Sequence, residues 1–299
     1  MSQTLRFRMV NIALLLLIAF VWASSFGAIK VAVYETGPLS LAAIRASGAA
    51  LILGIWLAAS GPIPWQTYKE HLGAFFMIGG VGTALPFIII PFAELQIESA
   101  LAGLLMALGP LATLVGAWAL GYQDDVSRGR FFGILLGLVG AGLLLSDGFR
   151  TLGTGHLVAQ IMTIFASLCY VAGNLTVRKI AHIHWLVIST GSMFVASIIL
   201  WPLALVIEQP SPFEWSALSW SMLVWLAAMP TAFAFSIRYL LIARAGPTFT
   251  SYVGYLIPAM AMLLGYSLLD EVITATHLGA LCLILLGLIL AQTKGKDRK

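Results

Sequence analysis

VNIALLLLIAFVWASSFGAIKVAVY, residues 10–34, decides the fold, because Lys30 is the one charged side chain in it. A helix rises 1.5 Å per residue and crosses the roughly 30 Å hydrocarbon core in about 20 residues. The run is too long for a signal-peptide core and leads straight into a second apolar run, so it reads as a retained membrane helix. Leu14–Ala19 within it, and further runs such as Phe131–Leu145 and Leu278–Ala291, show no alternation of polar and apolar residues. That excludes the barrel solution to satisfying backbone groups in lipid and leaves helices.

Composition extends the reading to the whole chain. Of 299 residues, 60% are hydrophobic and 9% charged, with mean hydropathy +0.98. Soluble domains carry roughly 25% charged residues. The bilayer must therefore solvate most of this surface. The expected spans are about 10–34, 36–59, 70–92, 97–120, 129–146, 155–178, 184–207, 217–242, 248–269 and 273–293. The breaks have turn chemistry: Gly37-Pro38, Gly61-Pro62-Ile63-Pro64, Gly148 to Gly155, Pro210-Ser211-Pro212 and Gly246-Pro247. No room remains for a soluble domain.

With the N-terminus cytoplasmic, one side holds Arg6, Arg8, Lys69, Arg128, Arg130, Arg178, Lys179, Arg244, Lys294, Lys296, Arg298 and Lys299, and the other only Arg150. The positive-inside rule then puts both termini in the cytoplasm of a multi-pass protein, expected in a bacterial inner membrane. Topology accounts for the +4 net charge, so nucleic acid is not an expected partner; the lipid bilayer is. Cys169 and Cys282 lie in apolar runs without a CxxC, and the histidines form no HExxH. Neither metal nor cofactor is expected.

Sliding the chain against itself brings Thr83, Ala84 and Phe87 onto Thr231, Ala232 and Phe235, Pro110 onto Pro258, and Lys30 onto Arg178. A two-residue deletion then brings Asp124-Asp125-Val126 onto Asp270-Glu271-Val272. These matches predict a duplication, with residues 1–148 and 149–299 as the copies. Five helices per copy is an odd number, so the second copy enters the membrane from the opposite side. The expected fold is an all-α membrane protein of ten transmembrane helices in two inverted five-helix repeats around a central cavity. That is a recurrent transporter architecture.

Phe20 to Lys30, Pro38 and Leu41 to Arg45 resemble the opening of the EamA-type drug/metabolite transporter repeat, and Ser99 to Pro110 with Gly133 to Leu145 resemble its end. Thr248 to Pro258, Leu269 to Glu271 and Leu278 to Ala291 resemble that end in a second copy. One departure is visible: the family's usual Leu-Gly-Glu reads Leu120-Gly121-Tyr122-Gln123-Asp124. The resemblance implies a ten-helix metabolite exporter, most similar to the aromatic and neutral amino-acid exporters. It also implies a cavity formed by helices one to four and six to nine, with five and ten peripheral.

All twelve acidic residues fall in loops or at helix ends, which argues against a buried acid relay. Arg45, inside the second helix, and Lys30, near the end of the first, can attract a substrate carboxylate. Bonds to carbonyls, Glu35 or Glu94, and snorkelling, are their structural alternatives. Arg238 reads as a snorkelling side chain. Trp22, Ser24, Ser25, Thr83, Phe87, Tyr170, Asn174, Thr231, Phe235, Tyr239, Tyr252 and Tyr255 supply the aromatic and small polar groups of a ligand site, or else of ordinary packing. Pro86, Pro110, Pro230 and Pro258 are candidate hinges or static kinks. Gly129, Gly133 and Gly137 form a repeated GxxxG that predicts close packing within the bundle rather than an obligatory oligomer.

With no Walker loop, ATP-driven transport by this chain alone is excluded; an intramembrane hydrolase or acyltransferase is the enzyme rival, and the lack of a central histidine or acid to pair with a nucleophile argues against it. A structural or assembly protein is the other rival outside transport; lipid-linked or drug-like cargo is the rival within it.

Overall fold

The computed structural model describes residues 3–119, 128–152, 154–238, 241 and 252–292, and among these all regular structure is helical. The apolar helices are α1 (Gln3–Thr36), α2 (Pro38–Ser60), α3 (Leu72–Glu94), α4 in two pieces (Ser99–Met106 and Leu108–Ala119), α5 (Arg128–Leu152), α6 (Thr154–Lys179), α7 (Trp185–Glu208), α8 (Ala217–Arg238), α9 (Val253–Leu269) and α10 (Ala275–Gln292). Six of them, α1, α2, α3, α6, α7 and α8, are long and apolar enough to cross a membrane; α4, α5, α9 and α10 carry shorter apolar stretches. Leu51, Ile55, Leu138, Phe194, Val206 and Leu263 stand exposed on the outside, where lipid is the solvent that fits them.

Gly37 adopts φ 74°, the left-handed region, and turns the chain from α1 into Pro38 at the first position of α2. A Cβ there would also stand 2.6 Å from a Glu208 carboxylate oxygen. The third span starts differently from expectation: a short helix, Trp65–Glu70, ends at His71 before α3 begins. The expected break at Gly148 to Gly155 narrows, because α5 continues to Leu152 and α6 starts at Thr154. Isolated glycines are tolerated inside a helix. The proposed starts at Gly246-Pro247 and Thr248 lie outside the described residues.

Three stretches widen to π-helix: Met77–Ala84 in α3, Ala204–Glu208 in α7 and Ala227–Phe233 in α8. Prolines explain their positions, since a proline removes one rung of the i→i−4 ladder. Pro86 stands two residues past the end of the first, Pro202 two residues before the second, and Pro230 lies inside the third. Pro110 follows the interruption of α4 at Ala107, and Pro258 is buried inside α9.

Packing has a regular pattern. α5 lies on α10, α2 on α7 and α4 on α9, while α1 lies on α8 and α9 as α6 lies on α3 and α4. Gly133 and Gly287 make the first of these contacts backbone to backbone, a Cβ on Gly287 reaching within 2.5 Å of the Gly133 carbonyl. Gly137 faces Leu111 and Gly140 faces Ile284 and Ala280. The glycine spacing on α5 thus serves contacts inside the chain.

Candidate functional site

A cavity of about 50 Å³ lies between α3, α6, α7 and α8. Of the residues expected to bind substrate, Thr83, Tyr170, Asn174 and Phe235 line it. Ser189, Ser192, Met193 and Arg238 join them, and none of these was among the candidates. Arg238 also stands over the Trp22 ring, 5.9 Å from its centroid, so it belongs to the cavity wall. Its place near the end of an apolar helix made it read as a snorkelling residue. The floor is the crossing of α3 and α6, where a Cβ on Gly82 would come within 2.7 Å of Gly173 Cα. A void of this size is far below the roughly 300–1,000 Å³ of ligand pockets.

The π-helical stretches of α3 and α8 carry a matched device. Thr83 Oγ1 donates to Ile78 O (2.9 Å) and Thr231 Oγ1 to Leu226 O (2.7 Å), each reaching five residues back. Pro230 has no amide to offer the Leu226 carbonyl, and the Thr231 hydroxyl takes it. The same hydroxyl oxygen accepts from Arg45 Nε at 3.0 Å. Arg45, 7% exposed, lays its guanidinium 4.0 Å from the Phe87 ring centroid, a cation–π contact in a desolvated place. It thereby joins α2, α3 and α8.

Trp22 donates from Nε1 to Pro230 O at 2.9 Å and meets Phe235 edge-on at 6.0 Å, extending the cluster to α1. Ser24 accepts from Trp225 Nε1 and ties α1 to α8, while the Ser25 hydroxyl donates to Trp22 O within α1 itself. The structure does not bring the remaining candidates to the cavity. Lys30 donates to the main-chain carbonyls of Glu94 (2.5 Å) and Ile97 (2.8 Å), at one end of the bundle. A cation suits a helix C-terminus. Tyr252 is exposed, and Tyr255 OH holds Leu288 O at 2.8 Å, pinning α9 to α10. Tyr239 lies outside the described residues.

The end of the bundle that holds Lys30 is closed by carboxylates on helix N-termini. Glu208 accepts from Leu39 N, Ser40 N and Ser40 Oγ at 2.7–2.8 Å, at the start of α2. Glu271 accepts from Ser99 N and Ala100 N at 2.7 and 2.8 Å, at the start of α4. Glu35 accepts from Ser216 N at 2.9 Å, ahead of α8. Each satisfies otherwise open amides and meets the positive end of the helix dipole. Each also joins a residue before 148 to one after it. At the opposite end Tyr68 OH donates to Val187 O at 3.2 Å, and burial pushes its phenol up to about 12.

One further group departs from expectation. Glu94 closes α3 at a helix end, as read from the sequence, yet it is completely buried and neither carboxylate oxygen has a hydrogen-bond partner. Its position in the apolar run Pro86 to Leu95 was the available signal.

The EamA-like transporter family model matches residues 9–146 and again 153–293. The chain is similar to an uncharacterized transporter of Archaeoglobus fulgidus, 22% identical over 288 residues and covering 95% of this chain and 98% of that one. It is similar to protein PecM of Dickeya dadantii (24%; 91% and 89% covered) and to the inner membrane transporter YedA of Escherichia coli K12 (23%; 92% and 88% covered). A solved crystal structure shares the fold with TM-score 0.64 at 18% identity, covering 92% of this chain and 96% of that one. With both stretches matched and its helices those of a multi-pass membrane protein, this chain belongs to the EamA-like transporter family.

Proposed function

We propose that the chain is an inner-membrane exporter of small metabolites, with aromatic and neutral amino acids as cargo. It works by alternating access of two inverted five-helix repeats, without ATP. The observation that carries this reading is the cavity between helices of both halves, with carboxylate caps crossing from one half to the other at one end of the bundle. The exchange of contacts between α1–α8 and α6–α3 and between α1–α9 and α6–α4 supports the repeat, as do the paired threonine bonds in α3 and α8. With Lys and Arg facing the cytoplasm, the capped end is the outer one.

Tyr170 and Phe235 offer aromatic faces, and Thr83, Asn174 and Ser189 offer polar atoms. Arg238 and, one layer deeper, Arg45 supply positive charge for a carboxylate. The test is flux of labelled amino acids into proteoliposomes, with empty liposomes as control. Protein-dependent flux of aromatic or neutral amino acids is expected; none, from inserted and folded protein, refutes the cargo class.

A further inference from the structure

We infer that Glu94 is a proton-binding site, occupied while the capped end of the bundle is closed. Its side chain is 0% exposed and both oxygens lack hydrogen-bond partners. An ionised carboxylate in such a place loses its hydration and receives no bond in return, a penalty of many kcal/mol in a low-dielectric interior. The neutral acid avoids most of that penalty.

The surroundings offer two cations, and neither is hydrogen-bonded to the carboxylate. Lys30 of α1 points its ammonium at the Glu94 and Ile97 main-chain carbonyls. Arg45 of α2 is bonded to Thr231 and stacked on Phe87. The third charge in range is Glu271, in the turn between α9 and α10, whose own two oxygens are satisfied by Ser99 N and Ala100 N. It repels a second anion. From α6, His156 is turned to Gln96 O and Tyr170 interacts with Arg45; α4 itself presents no titratable group, and Glu98 at its N-cap shares Lys30 and Glu271 with Glu94. The contrast with Glu208 and Glu271 is the argument: those carboxylates are given amide donors, and Glu94 is given none.

The site also has a route toward the cavity. Gln160, Thr163, Ser167, Tyr170 and Asn174 recur at helical spacing along one face of α6, which packs on α3 and α4. The first three are buried, and Gln160 Oε1 and Ser167 Oγ have no partner. A proton taken up at Glu94 when the capped end opens can leave along this polar face when it is closed. That last step rests on the transport reading; the proton site does not.

Infrared difference spectroscopy of the purified, folded protein tests the site without any cargo. Near neutral pH, the wild type is expected to show the carbonyl stretch of a protonated carboxyl group. That band is lost in Glu94→Gln and retained, shifted, in Glu94→Asp. An identical carboxyl spectrum for wild type and Glu94→Gln would overturn the assignment, whatever the protein transports. In proteoliposomes, Glu94→Gln is expected to flatten the pH dependence of flux. PH dependence unchanged from the wild type would remove Glu94 from the cycle, while absence of flux in the wild type would bear on the cargo alone.

Discussion

Arg45 Nε donates to the Thr231 hydroxyl across 3.0 Å while that hydroxyl donates to the Leu226 carbonyl, in the π-helical stretch of α8 that holds Pro230. The widened helix thus holds a buried charge that comes from another helix. Arg45→Ala is expected to lower transport of carboxylate-bearing cargo by roughly 10- to 100-fold, the scale of a lost charge-assisted bond. Arg45→Lys fails to restore it, since an ammonium does not present a planar face to Phe87. Flux in proteoliposomes, normalised to inserted protein, checks both; normal transport by inserted Arg45→Ala would remove the role.

Thr231→Val keeps the shape of the side chain and loses both of its bonds. The Arg45 Nε is then left without its partner and the Leu226 carbonyl loses its hydroxyl donor. We expect a loss of about 1–3 kcal/mol in stability, the cost of unsatisfied buried groups, seen as a lower melting temperature in detergent. Thr231→Ser, which retains the hydroxyl, is expected to recover most of it.

The closed end of the bundle makes a separate prediction. Glu208→Gln and Glu271→Gln each remove the charge from a helix cap that joins the two halves. Each cap is worth about 1 kcal/mol, so the equilibrium moves several-fold toward an open capped end. Amide hydrogen exchange at Leu39–Leu41 and at Ser99–Leu101 reads this directly. Faster exchange confined to the segment whose cap was changed is expected in the single variants. Their combination is expected to accelerate both. Unchanged exchange would mean that the caps hold nothing shut.

How much of this was legible in the sequence varies with the physics. Hydrophobic runs of membrane length mark helices without reference to partners, so α1, α2 and α7 fell where expected. The matched Thr83 and Thr231 were visible as identities, but their shared π-helical setting was not, because helix widening depends on local bonds around proline. Tyr252 and Tyr255 looked like cavity residues by type alone, whereas Tyr252 is exposed and Tyr255 is turned to α10 by its bond to Leu288 O. Glu94 was misjudged for a related reason: a place at the end of a helix says nothing about whether other helices cover that end.

The α5–α10 contact predicts a variant that separates stability from transport. Gly133 and Gly287 approach backbone to backbone, and no side chain there can move aside. Gly287→Val is expected to push the helices apart, with a loss of about 1–3 kcal/mol from overpacking. Since α5 and α10 do not line the cavity, protein that remains folded is expected to keep its flux per inserted molecule, while its melting temperature falls.

Gly82 and Gly173 behave in the opposite way, because their crossing is part of the cavity lining. A Cβ on Gly82 would stand 2.7 Å from Gly173 Cα, so Gly82→Ala moves α3 off α6 at the height of Thr83 and Tyr170. Helix association in lipid depends on such close packing, so a modest stability loss accompanies the change. The larger expected effect is on transport, as the polar and aromatic groups of α3 and α6 no longer converge on one cargo. Measuring flux and melting temperature on Gly82→Ala and Gly287→Val together separates the two crossings. A loss of flux per inserted molecule in Gly82→Ala, exceeding that in Gly287→Val at equal or smaller thermal destabilisation, assigns the α3–α6 crossing to the transport path. Equal effects on flux would make both crossings structural and would take the cavity between α3, α6, α7 and α8 out of the path.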